Sequence, residues 1–147
     1  MLLTMNKRTD PLTPEQRRYT MRQVHSKDTK PEMRVRRLTH RMGYRYRLHR
    51  KDLPGKPDLV FPGRKKVIFV HGCFWHGHDC PAGRKIPKTN QEYWLKKLSR
   101  NKERDGQNIA KLREEGWDVL VIWECETKDE ASLSRRISQF LDDERPA

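Results

Sequence analysis

Residues 67–80 read VIFVHGCFWHGHDC, and the change of character within this stretch decides the fold. Val67 to Val70 are four apolar residues in a row, a run that suits a strand buried on both faces. His71, Cys73, His76, His78 and Cys80 follow at once, more polar donors and acceptors than an ordinary core can bury without partners. Zinc is the economical partner, because it accepts thiolate and imidazole in one tetrahedral set. Cys73-x4-His78-x-Cys80, joined by Cys125 from the end of a later strand, makes a Cys3His group. Its spacing is not that of a simple zinc finger, and inert buried cysteines beside surface histidines are the competing reading. A closed four-ligand site would hold the fold and leave the chemistry to other residues.

Upstream of this stretch, LPGKPDLVF (53–61) is a turn entering a strand. Pro57 restrains the chain before Asp58, and Leu59, Val60 and Phe61 supply the apolar content. Pro62-Gly63 signals a turn, so 59–61 and 66–71 are expected to form a hairpin that brings Asp58 and His71 together at one end of a sheet. Asp58 offers a hard carboxylate oxygen suited to Mg2+, and a histidine can pass a proton to or from attacking water. Either His71 or His76 alone would be read as a satisfied core or surface residue; their combination with Asp58 points to chemistry.

Further back, Thr29-Lys30-Pro31-Glu32 is a capping box with proline just inside a helix running to about Met42, with Gly43 as its stop. Met33, Leu38 and Met42 are expected to face the core, with Val35 at the flank. Glu32 has two readings: it closes the cap, or it reaches the active centre from the first helical turn. YRYRL (44–48) alternates as a half-exposed strand does. Residues 1–12 show no periodicity; Thr13-Pro14-Glu15-Gln16 starts either a short helix or turn carrying Tyr19, Met21 and Val24, or a basic arm for nucleic acid. Residues 1–18 are therefore expected to be a flexible arm and 19–147 a single domain.

Downstream, 81–88 reads as a loop, and Thr89 and Glu92 as the cap of a helix carrying Tyr93, Trp94, Leu95 and Leu98. Ile109 and Leu112 continue the helical pattern, but Gly106 argues against one unbroken helix. WDVLVIW (117–123) is another buried strand, and a last helix over about 130–141 has Leu133, Ile137, Phe140 and Leu141 on one side. The order helix, strand, strand, strand, helix, strand, helix predicts an α/β fold, a central mixed sheet flanked by helices. Phe74 and Trp75 either pack under the zinc loop or stack on a base; Trp94 reads more readily as a helix anchor, although in so basic a chain all three can enter a base stack.

Composition narrows the partner. The chain of 147 residues carries a formal net charge of +13, with 33% hydrophobic and 36% charged residues. That suits one domain and a polyanionic partner, nucleic acid first and acidic membrane or protein surfaces behind it. Three cysteines, two of them among histidines, do not form a disulfide framework. With no signal-peptide core and no stretch approaching 18 apolar residues, a soluble intracellular protein is expected.

MRQVHSKDTKPE, LPGKPDLVF, VIFVHGCFWHGHDC, TNQEYWLKK with the following NKERD, and GWDVLVIWEC together resemble the very short patch repair endonucleases, the Vsr family of bacterial DNA mismatch nickases. The resemblance runs from about Tyr19 to Cys125. It implies a restriction-endonuclease-like fold with a structural zinc, and a Mg2+-dependent nick 5′ to the thymine of a T·G mismatch left by deamination of 5-methylcytosine. By resemblance, Asp58 holds the catalytic metal, with Val70 contributing its backbone carbonyl. His76 activates water, His71 assists at the scissile phosphate, and Glu32 supports the histidines. Phe74, Trp75 and Trp94 wedge into the duplex from the major groove, with Met21 approaching from the minor groove. The family acts as a monomer linked to other mismatch-repair proteins, and a cytoplasmic protein, on the nucleoid when bound to DNA, is expected. The chain departs from the pattern where histidine replaces the lysine common on this strand in related nucleases, where Val70 stands in place of the family's frequent threonine, and where the His76-Gly77-His78 run is less histidine-rich than in some relatives; valine is harmless if the ligand is the backbone carbonyl, and weakens metal binding if it is the hydroxyl. A different mismatch or sequence context, or a noncatalytic zinc-stabilised DNA-binding protein, is the alternative.

Overall fold

The computed structural model describes residues 28–143. The expected arm, the Thr13–Gln16 cap and Met21 lie outside the described residues. The elements are α1 (Lys30–Arg41), β1 (Arg47–Leu48), β2 (Leu59–Phe61), β3 (Lys66–His71), α2 (Gln91–Glu114), β4 (Asp118–Trp123) and α3 (Glu130–Asp142). They follow the expected order. One four-stranded mixed sheet runs β1-β2-β3-β4, with β1, β2 and β3 antiparallel in turn and β4 parallel to β3.

The apolar run in β3 has the predicted cause. Ile68 packs with Leu59, Phe61 and Ile122 against Val35 and Leu38 of α1 and Leu133, Ile137 and Leu141 of α3. Its neighbours Val67 and Phe69 point the other way, to Val60, Leu53, Leu112 of α2 and Trp117. Alternate residues thus meet different helices, and no face of β3 is left for solvent. Each fully buried aliphatic side chain in these layers contributes about 1.5–3 kcal/mol relative to an exposed one.

Several local expectations shift. Val35 is central, not flanking: it is wholly buried, while Met33 and Met42 are half-buried. The 44–48 strand shrinks to two paired residues, although Tyr44 and Tyr46 do face the core and Arg45 and Arg47 do not. The register Arg47↔Val60 would set residue 45 opposite Pro62, which has no N–H to give, and the chain leaves the sheet there in a 3-10 turn. Asn90 in the left-handed region, not Thr89, precedes α2 and makes no side-chain cap. That helix is continuous for 24 residues through Gly106. Packing of Trp94, Leu98 and Leu112 into the domain offsets the roughly 1 kcal/mol that one glycine costs a helix interior. No helix among the described residues is long and apolar enough to cross a membrane.

Candidate active site

The C-terminal end of β3 gathers the chemistry. β2 begins one residue after Asp58, so no β2 backbone reaches Val70; the Asp58 side chain fills the place, its Oδ2 accepting the Val70 N–H at 2.7 Å. In an extended strand the N–H and C=O of one residue project to the same side, so the Val70 carbonyl faces the Asp58 edge of the sheet as well. Burial pushes the Asp58 carboxyl up to about 7; the Val70 hydrogen bond opposes that rise and the nearby Glu32 carboxyl adds to it.

Glu32 comes to this corner from the first turn of α1. Thr29 Oγ1 accepts the Glu32 N–H at 3.3 Å, one half of the expected capping box. The other half departs from the pattern: Glu32 Oε1 takes the Asp28 N–H at 2.9 Å, and Oε2 lies 2.6 Å from His49 Nε2. Arg36 stands 3.5 Å from the same Oε2. Glu32 is 2% exposed, and its charge is felt by Asp58, so both of its sequence readings, cap and active-centre neighbour, have a counterpart here. Its side-chain contacts are with Asp28, Arg36 and His49, whereas His71 and His76 group with Asp105.

His71 and His76 stack face to face, their ring centroids 3.8 Å apart and their planes within 4°. Trp123, at the end of β4, lies edge-on to His71 at 5.3 Å and flat against His78 at 4.3 Å. His76 Nδ1 is 2.5 Å from Asp105 Oδ2. An ionised carboxylate only accepts, so Nδ1 carries the hydrogen and Nε2 is left as the basic nitrogen. Burial drives His71 down to about 3, with His76 adding to the fall and Asp105 opposing it. His71 is therefore neutral near pH 7. Its Nδ1 is buried without a hydrogen-bond partner.

Cys73, His78, Cys80 and Cys125 converge, with one potential ligand atom from each within 4.8 Å of all the others. All three cysteines are free thiols. Backbone N–H groups of Cys125 and Gly83 point at Cys73 Sγ and Cys80 Sγ at 3.4 and 3.3 Å, and Cys125 Sγ is 3.6 Å from His78 Nδ1. Burial raises the Cys73 thiol, whereas the Gly83 N–H holds Cys80 below its ordinary range. A Cβ at Gly83 would sit 1.9 Å from the His78 carbonyl, so only glycine lets the loop close here. Three soft sulfurs and an imidazole at this mutual distance fit a tetrahedral zinc ion.

Phe74, Trp75 and Trp94 form a triangle of edge-to-face rings with centroids 5.0, 5.6 and 6.0 Å apart. Trp94 is buried; Phe74 and Trp75 are half-buried. Packing among the rings is therefore shared by all three, and Phe74 and Trp75 keep part of their surface open to solvent. Tyr93, 50% exposed, extends it with its ring 5.3 Å from Trp94.

The sequence reading gave no role to His49 or Asp105. For Asp105 a signal existed: Trp94, Leu98, Asn101, Asp105 and Leu112 follow one helical stripe, so two polar residues lie on the inward side of α2. Asn101 Nδ2 duly donates to the Trp75 carbonyl at 2.9 Å. His49 had no such signal, because it follows the pattern of β1 and its partner is 17 residues away.

The profile of the family described as DNA mismatch endonuclease Vsr matches residues 9–82. The chain is 55% identical to the type II nicking enzyme V.XorIIP of Xanthomonas oryzae pv. oryzae, over 91% of this chain and 98% of that protein. It is 44% identical to the nicking enzyme V.NmeAIP of Neisseria meningitidis, over 90% and 94% of the two chains. It is 39% identical to the DNA mismatch endonuclease Vsr of Escherichia coli K12, over 85% and 83%.

Proposed function

The chain belongs to the Vsr family of DNA mismatch endonucleases and is an endonuclease that hydrolyses DNA; from that premise we propose that it makes a Mg2+-dependent nick 5′ to the thymine of a T·G mismatch, with zinc holding the loop that carries its wedge. The mixed sheet with helices on both faces supports the restriction-endonuclease-like assignment; from the sequence, the chain would form a single endonuclease domain over 19–147 behind an arm of residues 1–18. One observation carries the reading. A histidine with a carboxylate on Nδ1 stands on a neutral, partly unsatisfied histidine at the end of the strand whose edge carries Asp58.

Asp58 and the Val70 carbonyl would hold the Mg2+, through hard oxygens that fit it. Because the carbonyl does this, valine in place of threonine costs nothing. The bound metal supplies Lewis-acid stabilisation of charge developing on the phosphate. His76 takes the proton of the attacking water on Nε2, and Asp105 keeps the ring in that tautomer and stabilises the imidazolium formed. His71, neutral and packed under His76, donates a hydrogen bond to the scissile phosphate and not the positive charge that a lysine would bring. Cys73, His78, Cys80 and Cys125 would bind the structural zinc, and the stack of His78 on Trp123 ties that loop to His71.

Phe74, Trp75 and Trp94 enter the stack beside the mismatch, where unpairing is already cheap. Met21 would complete the grip from the minor groove, and the Lys and Arg excess adds backbone affinity. The enzyme would act in the cytoplasm as a monomer, handing the nick to other mismatch-repair proteins.

The test compares matched and T·G duplexes, varied at the flanking bases, in Mg2+ or EDTA, with the natural chain and Asp58→Ala. A single-strand nick confined to T·G, lost in EDTA and lost by about 10³-fold or more in Asp58→Ala, is expected. Equal cutting of matched DNA would overturn mismatch selectivity. Full cutting by Asp58→Ala would overturn the metal assignment.

A further inference from the structure

His49 belongs to the Asp58 corner and has no part in the proposed reaction. It follows directly on β1, where its N–H donates to the Asp58 carbonyl at 3.3 Å and so continues the β1–β2 ladder one step beyond Leu48↔Leu59. Its φ is +47°, in the left-handed region that residues other than glycine enter at some cost. A strained backbone at this point turns the half-buried ring inward, where Nε2 lies 2.6 Å from Glu32 Oε2 and 4.0 Å from Asp58 Oδ1. One nitrogen therefore stands between two carboxylates from distant parts of the chain.

The contact with Glu32 defines the ring. An ionised carboxylate has no hydrogen to give, so at 2.6 Å the hydrogen belongs to His49 Nε2. Without it, Glu32 would keep the Asp28 N–H on Oε1 and a long contact to Arg36 on Oε2. Two carboxyl groups would then meet in a half-buried corner with nothing between them, a repulsion relieved by one of them turning away. Asp58 is the one with room to turn: its side chain is 20% exposed against 2% for Glu32, and it is held on one oxygen by the Val70 N–H.

We infer that His49 is a positioning residue for DNA cleavage: by donating Nε2–H to Glu32 and standing beside Asp58, it fixes the Asp58 carboxylate in the orientation in which a divalent cation meets it. His49 needs no contact with DNA for this. The inference rests on the proposed metal role of Asp58 and adds to it the residue that sets the carboxylate.

The experiment uses the zinc-loaded full chain as His49→Ala, His49→Gln and the natural protein. On the T·G duplex, His49→Ala is expected to lose on the order of 10- to 100-fold in kcat, with KM for DNA and the zinc content unchanged. Glutamine can place an amide N–H near the Nε2 position, so His49→Gln is expected to recover most of the rate. A purely structural role would lower the melting temperature and would not produce a kcat loss at constant KM. Independently of activity, long-range 1H–15N NMR of the natural protein without Mg2+ is expected to place the His49 hydrogen on Nε2, and Glu32→Gln to shift that signal. A kcat for His49→Ala within about 2-fold of the natural chain would overturn the inference, as would a glutamine variant as slow as alanine or an Nε2 that carries no hydrogen. If the natural chain leaves T·G intact and cuts another duplex, the T·G reading fails, and the same His49 comparison is run on the duplex that is cut.

Discussion

The two ends of β3 bury a polar side chain to nearly the same depth and use it in opposite ways. At the start, Lys66 is 3% exposed, and its Nζ donates to the carbonyls of Phe140 and, at 2.5 Å, Asp143, where α3 ends. At the other end His71 is 6% exposed, and its Nδ1 has no partner. A satisfied buried group specifies how elements dock, whereas an unsatisfied one asks for a ligand. Between them the ladder to β4 is unbroken from Lys66↔Asp118 to His71↔Trp123. The two ends are thus joined by backbone pairing to which neither side chain contributes.

The comparison can be broken most forcefully at the loop growing from the His71 end. Replacing Cys80 by serine, or stripping the protein with a chelator, is expected to release zinc, loosen residues 73–83 and abolish nicking. Metal binding is a large part of folding free energy in such sites, so the melting temperature should fall steeply as well. Zinc content by atomic emission, followed beside melting and nicking, checks this. Undiminished nicking by metal-free protein would mean that the loop is held by packing alone.

A smaller but more specific effect belongs to Asp105. Asp105→Asn keeps the shape of the side chain and removes its charge, so His76 loses the partner that fixes its tautomer. A loss of about 10²-fold in nicking is expected, with zinc content, DNA binding and melting temperature close to those of the natural chain. A rate within a few-fold of normal would show that the stack on His71 alone orients His76.

How legible these two ends were in the sequence follows from how local their partners are. The Cys3His group could be read because Cys73, His78 and Cys80 fall in one window and Cys125 follows a plain strand; the structure brings the four together. The sheet and its helices could be read because Ile68 and Val67 need apolar cover on both sides, and hairpin logic placed Asp58 beside the end of β3. His49 and Lys66 could not. Each looks like one more basic residue in a basic chain, and each acquires its role from a partner far along the sequence, Glu32 for one and the end of α3 for the other. Asp105 lies between these cases, visible only once α2 is known to pass Gly106 unbroken. The shortness of β1 was unreadable for a further reason: it depends on Pro62, which ends the strand that β1 pairs with.

The gentlest change tests the anchored end. Methionine has nearly the length of lysine, so Lys66→Met keeps the stem against the Phe140 ring, which now lies 5.2 Å from Nζ, and removes only the donor. Two carbonyls at the end of α3 then lose their partner, at a cost of about 1–3 kcal/mol. Urea unfolding should show this as a lower midpoint with an unchanged slope. Nicking per folded molecule should stay at the natural rate, because Lys66 lies five residues from His71 along the strand and the β3–β4 ladder does not depend on its side chain. A fall in kcat matching the fall in stability would mean that α3 docking is felt at His71, and that the two ends of β3 share one function instead of dividing two.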